Sequence, residues 1–312
     1  MTASINTTMN SRQWLMLIAL SLLWGGSFFC VGIAVEHLPP LTIVAIRVGL
    51  AAVALWVFVF VMGLRPPKQA TVWWAFLGMG LLNNVIPFSL IVWGQTHIAS
   101  GLASILNATT PLFTVLVASL LLTDERATAL KLLGVVLGFM GVVVMIGVPA
   151  GQSDGNLLAE FAILGAAISY SFAGIFGRRF KAMGINPIVI AAGQVTASFT
   201  VMMPISFLVD GSADFSAVPL NVWAALVVLA VLSTALAYVM FFKLLASAGA
   251  TNVLLVTLLV PVSAILLGIL FLGEVLVWTQ GVGMLLIVFG LSAIDGRLWC
   301  TFKTAKKVSA SR

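Results

Sequence analysis

The stretch GLASILNATTPLFTVLVASLLLTDERATALKLLGVVLGFMG (residues 101–141) returns half a chain later as TNVLLVTLLVPVSAILLGILFLGEVLVWTQGVGMLLIVFG (residues 251–290). Pro111, Glu125, Lys131, Gly134 and Gly141 of the first stretch meet Pro261, Glu274, Gln280, Gly283 and Gly290 of the second, and Trp74 upstream meets Trp223. Every pair is 149 residues apart except the prolines, at 150, which implies one small gap. Both stretches hold apolar runs long enough to cross about 30 Å of hydrocarbon as helices. Lipid offers the backbone no hydrogen bonds, so a spanning segment must satisfy its own and the helix is the fold that does so here.

Each of the two stretches holds two such runs; working outward, six more fill the chain, and spans are expected near residues 13–36, 40–63, 71–95, 98–122, 127–148, 157–180, 186–209, 220–244, 250–272 and 275–295. Hydrophobic residues make up 62% of the chain and charged residues 8%, against roughly 45–50% and 25% in soluble domains. No soluble core absorbs that much apolar surface, so the fold class is an all-α integral membrane protein of ten transmembrane helices. Two cysteines, Cys30 and Cys300, exclude a disulfide framework. The first span is too long for a signal peptide and is read as a retained helix.

Loop charges set the orientation. With the N-terminus inside, the inner loops receive 14 of the 15 basic residues, among them Arg65, Lys68, Arg126, Lys131, Arg178, Arg179, Lys181 and Lys243. The outer side receives Glu36, Asp154, Glu160, Asp210, Asp214 and Glu274, six of the nine acids. Such an excess of Lys and Arg inside is what orients a polytopic protein, so the net charge of +6 has a topological cause and no nucleic-acid partner is implied. Five spans per half start the second half on the opposite face. The expected units are therefore 13–148, an inverted partner at 157–295, and a basic cytoplasmic tail at 296–312. Inverted halves place cargo near the bilayer midplane between them. Glu125 and Glu274 fall on opposite faces; each opens a short turn, where a carboxylate favours the positive end of the following helix.

These motifs are similar to those of the EamA family of the drug/metabolite transporter superfamily. The resemblance is carried by Leu23-Trp24-Gly25-Gly26-Ser27-Phe28, by Leu121-Leu122-Thr123-Asp124-Glu125-Arg126, by Ala235–Lys243 with Ala248-Gly249-Ala250, and by Pro261 with Leu270-Phe271-Leu272-Gly273-Glu274. It covers residues 14–295. Thr123-Asp124 departs from it, standing where relatives more often carry one Gly. The resemblance implies two inverted five-helix repeats around a central cavity, in a bacterial cytoplasmic membrane with both termini inside. It also implies export or exchange of small metabolites, most like the bacterial aromatic amino acid exporters within the family.

Polar side chains inside the spans mark candidate sites, because burying one unpartnered in hydrocarbon costs a few kcal/mol or more. Ser27, Asn83, Asn84, Asn107, Ser169, Tyr170, Ser171, Gln194, Ser233, Thr234 and Thr257 all fall near mid-span, and the repeat register matches Asn84 with Ser233 and Asn107 with Thr257. Each is either a cavity residue or a helix–helix hydrogen bond. Trp24, Phe28, Phe88 and Tyr238 supply an apolar wall on the same helices. Arg47 is the charge well inside a span, with a substrate carboxylate, Glu36 or Glu160 as possible partner, or alternatively a snorkelling brace. The substrate-binding set is thus Trp24, Ser27, Phe28, Arg47, Asn83, Asn84, Phe88, Asn107, Tyr170, Ser233, Tyr238 and Thr257, with Pro87, Pro111 and Pro261 as hinges or kinks. The fifth and tenth spans, with glycines at 134, 138 and 141 and at 281, 283 and 290, read as scaffolding, in a monomer or a homodimer.

An enzyme needs a base, nucleophile or metal cluster; His37 and His97 fall in outer loops and no span holds a carboxylate pair. No enzyme activity, cofactor or metal is expected. Sugar phosphates call for several cavity Arg or Lys, and Arg47 alone qualifies, so neutral zwitterions fit better: amino acids, aromatic ones included. Amphipathic drugs or other metabolites are the alternative, and a channel a remoter one. With no acid at mid-depth, passage uncoupled from protons is the expectation, Glu36 and Glu160 near the outer ends being the acids that could still titrate.

Overall fold

A computed structural model describes residues 9–122, 128–146, 154–253 and 255–295. Glu125, Thr123, Asp124 and the 296–312 tail lie outside the described residues. The described chain is all-helical: α1 Ser11–Ala34, α2 Pro40–Val61, α3 Ala70–Gly94, α4 Ser100–Leu121, α5 Ala129–Ile146, α6 Asp154–Gly177, α7 Pro187–Val209, α8 Leu220–Ala248, α9 Val256–Phe271 and α10 Trp278–Asp295. Seven of these runs are long and apolar enough to cross a membrane, and shorter apolar helices occupy Ala129–Val144, Val256–Phe271 and Trp278–Ile294. Large side chains such as Leu15, Val53, Phe60, Leu133, Phe207 and Phe289 stand exposed on the outside of the bundle. A soluble protein does not leave apolar area on this scale uncovered; lipid covers it, and the chain is an integral membrane protein.

Local sequence explains the helix starts. Asn10 and Gln13 form a reciprocal capping box at α1, with both bonds at 2.9 Å. Pro40 and Pro187 occupy first-turn positions of α2 and α7, where a missing N–H costs nothing. Two caps are tertiary. Asp210, just past α7, accepts from Thr42 N at 2.7 Å and Thr42 Oγ1 at 2.9 Å in the first turn of α2. Glu274, between α9 and α10, accepts from Ser100 N at 2.7 Å, Gly101 N at 3.0 Å and Ser100 Oγ at the start of α4. The carboxylate therefore caps a helix in the other half of the chain, not the helix that follows it. The turn at Gly273, with φ +66°, sets it there, and the start of α10 takes Gln280 Oε1 instead, 3.2 Å from Val277 N.

Helix contacts come in pairs that exchange the halves: α1 packs on α9 as α6 packs on α4, and α3 on α6 as α8 on α1, while α2·α7 and α5·α10 join the halves directly. Three apolar clusters fill the interior. One joins α1, α4, α6 and α9, one joins α2, α3 and α7, and one lies around Ile43, Val48, Phe88 and Leu226. The α5·α10 seam is built from glycine: a Cβ on Gly290 would stand 2.5 Å from Gly134 O, and one on Gly141 would stand 2.6 Å from Gly283 O. Backbone cannot yield as a side chain does, and overpacking costs about 1–3 kcal/mol even where side chains give way. Gly290→Val is thus expected to lower the midpoint of thermal unfolding in detergent, whereas Gly281→Ala, with open space around it, should leave it unchanged. Gly25 of the Trp24-Gly25-Gly26 motif does similar work against α9, since a Cβ there would lie 2.8 Å from Val260 O and against Ser263 Oγ.

Candidate functional site

The sites where the helical ladder loosens locate the polar interior. α3 widens into a π-helical segment over Leu81–Val85, and α8 does so over Val228–Leu236. These positions correspond under the 149-residue register. A π turn releases backbone carbonyls from the i→i−4 pattern and is often found at functional sites. Side chains collect the released groups: Ser198 Oγ donates to Gly80 O at 3.2 Å, Ser169 Oγ to Leu82 O at 2.7 Å, and Thr234 Oγ1 to Leu229 O at 2.8 Å.

Around these segments a hydrogen-bond network ties the halves together. Asn83 Nδ2 donates to Tyr238 Oη at 3.1 Å and to Gln194 Oε1 at 3.4 Å. Tyr238 donates to Asn84 Oδ1 at 2.8 Å, and Asn84 Nδ2 donates to Ser198 Oγ at 3.0 Å. Asn84 and Gln194 are buried, where most polar side-chain atoms find a hydrogen-bond partner.

Arg47 completes the arrangement. Its residue is 6% exposed; Nε donates to Thr234 Oγ1 at 2.9 Å, and the guanidinium lies over the Phe88 ring, 3.6 Å from the centroid. Neither Glu36 nor Glu160 pairs with it. Glu36 is exposed, and among the described residues no carboxylate reaches Arg47. Its terminal nitrogens, the fork that matches a carboxylate bidentately, have no hydrogen-bond partner among the described residues. Tyr170 and Tyr238 lie within electrostatic range of the same group.

Of the expected set, the structure thus brings together Arg47, Asn83, Asn84, Phe88 and Tyr238, with Tyr170 beside them. Ser233 is adjacent, 1% exposed, its Oγ buried without a partner among the described residues. Other members fall elsewhere. Ser27 Oγ is spent on Trp24 O, 2.6 Å away on its own helix. Trp24 packs on Phe241 with centroids 5.6 Å apart. Phe28 belongs to the apolar cluster of α1, α4, α6 and α9. Asn107 Oδ1 is buried without a partner among the described residues, at the break between Ser100–Asn107 and Thr110–Leu121, and Thr257 is half-buried near the start of α9. Thr114 Oγ1 and Ser171 Oγ, 3.1 Å apart, join α4 to α6 as helix glue. Trp56 Nε1 donates to Thr196 Oγ1 of α7 at 2.8 Å. Ser198 went unnoticed in the sequence; its signal was its place four residues after Gln194, on the same face of α7.

The prolines differ among themselves. Pro87 sits in the first turn after the π segment of α3 and Pro111 follows a two-residue break in α4. Pro261 lies inside α9, which runs on past it, and lacks the N–H that would continue the hydrogen-bond ladder there. A cavity of about 330 Å³ opens between α3, α4 and α6, lined by Leu82, Leu121, Phe172, Ile175, Phe176 and Arg179. Leu82 is the chain neighbour of Asn83, and Arg179 is stacked on Phe176, 3.4 Å from the ring centroid.

Residues 12–147 and 157–294 each match the model of the EamA-like transporter family. Among curated relatives, the uncharacterized transporter YoaV of Bacillus subtilis is 26% identical, with 90% of this chain and 95% of that protein covered. The uncharacterized inner membrane transporter YedA of Escherichia coli K12 is 28% identical over 88% of each chain. A probable amino-acid metabolite efflux pump of the same organism is 25% identical over 91% of this chain and 94% of that protein. A solved crystal structure superposes with a TM-score of 0.64 over 93% of this chain and 98% of its own, at 21% identity, which shows the shared fold.

Proposed function

Because the chain belongs to the EamA-like transporter family, we propose that it is a secondary carrier that exports or exchanges amino acids, aromatic ones included, by alternating access. In this reading all ten helices span the bilayer. The halves 13–148 and 157–295 are inverted units that rock against each other, and both termini face the cytoplasm. The observation that carries the cargo assignment is Arg47: a buried guanidinium held by one bond through Nε, with its carboxylate-matching fork unused. A zwitterion sets its carboxylate on that fork and its ammonium against the Asn83, Asn84, Gln194 and Tyr238 oxygens. Phe88 and Tyr170 offer faces to an aromatic side chain. Multiply charged phosphates would need further cations, and the network supplies none. One relative, named a probable amino-acid metabolite efflux pump, supports this cargo class.

Reconstituted protein in liposomes loaded with labelled phenylalanine, threonine or a sugar phosphate tests this. Amino acid efflux without sugar phosphate efflux is expected, and the reverse result would overturn the cargo assignment. The cavity above Leu82 is then the cytoplasmic approach to the site. Phe172→Trp enlarges a lining side chain there and is expected to cut phenylalanine flux about tenfold, equivalent to about 1.4 kcal/mol on occupancy, without moving the unfolding midpoint. Undiminished flux would place the approach elsewhere.

A further inference from the structure

Near the start of α6 lies a carboxyl group that the polar network does not use. Glu160 is 7% exposed, and among the described residues nothing donates a hydrogen bond to it or pairs with it. At the same place α3 crosses α6 closely, since a Cβ on Gly94 would stand 3.3 Å from Ala159 O. The residue after Gly94 is Gln95, itself 6% exposed. Its Nε2 donates to Phe28 O at 2.9 Å, while its Oε1 is buried and accepts from nothing. One helix crossing therefore holds a buried amide oxygen and a carboxyl on a residue only 7% exposed, with no donor for either among the described residues.

An unpaired carboxylate in such surroundings is penalised by several kcal/mol, and a buried carbonyl without a donor adds a smaller penalty. A proton relieves the carboxylate: the neutral acid loses the charge and gains an O–H that can donate. A basic partner would do the same, but the packed elements provide none. The described parts of α3 and α4 carry no charged side chain, and the short helix Arg179–Ala182 that follows α6 brings Arg179 and Lys181 only at the far end. His97, in the adjoining turn, is exposed, with Nδ1 2.7 Å from Thr96 Oγ1 and its ring packed on Trp93.

We propose that Glu160 is a proton-binding site coupled to transport, with Gln95 at the same crossing as the acceptor that favours the protonated form. The carboxylate takes a proton from water on one side of the membrane and returns it on the other as an amino acid passes the opposite way. One proton against one zwitterion moves one positive charge. The sequence pointed to uncoupled passage because no acid lies at mid-depth; burial by tertiary packing gives Glu160 the property that depth alone did not. The coupling, though not the proton site, rests on the carrier reading above.

Two readouts test it. Infrared difference spectra of the purified protein in lipid, acidified stepwise, are expected to show a carboxylic acid C=O band that disappears in Glu160→Gln and persists in Glu36→Gln. Liposomes carrying a pH dye should show proton movement with phenylalanine efflux by wild type, whereas Glu160→Gln should exchange phenylalanine with no dye response. A band that survives in Glu160→Gln, or a dye response equal to wild type, overturns the proposal. Should neither protein move phenylalanine, the cargo reading fails and the infrared band alone decides the site. Should Glu160→Gln not fold, Gln95→Leu keeps the carboxyl and must change the pH at which the band appears; an unchanged titration overturns the proposal.

Discussion

Arg47→Met is expected to yield a folded protein whose phenylalanine flux at subsaturating substrate falls by about 10- to 100-fold. A charge-assisted hydrogen bond contributes about 1.5–3 kcal/mol, and each 1.4 kcal/mol is a factor of ten in occupancy. Methionine keeps the stem and much of the volume, and replacing a buried ionic group by an apolar one of similar size is often neutral or stabilising. Only Thr234 Oγ1 loses a donor, and it retains its own bond to Leu229 O at 2.8 Å. Unfolding and flux therefore separate two roles for the guanidinium. A structural brace predicts a lower melting midpoint with flux per folded molecule preserved. A substrate anchor predicts the opposite, and Arg47→Lys should fall between, keeping charge but losing the planar fork. Flux within twofold of wild type in a well-folded Met variant would remove Arg47 from the binding site.

Glu274→Ala should be the most destabilising single change at the helix ends, at about 2–4 kcal/mol. Removing a cap costs about 0.5–2 kcal/mol, and hydrogen bonds to a charged acceptor contribute more. Here the carboxylate serves Ser100 N, Ser100 Oγ and Gly101 N together, and Ser100 is 2% exposed, so water does not readily replace it. The acid also holds α4 of the first half to the α9–α10 turn of the second. Thermal unfolding in detergent measures the loss. Glu274→Gln, which keeps one acceptor and loses the charge, should lie midway, and an alanine variant that melts with wild type would show the cap to be dispensable.

Helix positions were readable because hydrocarbon imposes a one-dimensional rule. A segment expected at 40–63 is observed at Pro40–Val61, and one at 186–209 as Pro187–Val209. Of the glycines assigned to scaffolding, Gly134, Gly138, Gly141, Gly283 and Gly290 meet in the α5·α10 seam while Gly281 faces open space, since close backbone approach admits little else. The role of Glu274 was half readable: a carboxylate beside a turn says cap, but not which helix.

By itself the sequence determined the class of solvent, the helices and the family, because apolar length, loop charge and spaced Gly, Pro and Glu are local or periodic quantities. Only the tertiary structure decided what each polar group does. Arg47 meets Thr234 at a separation of 187 residues, and Asn83 meets Tyr238 at 155. Ser27, also polar and also within a span, turns back to its own helix. Hydropathy records the cost of burying such groups but carries no information on direction around a helix axis, so partners emerge only when the helices pack.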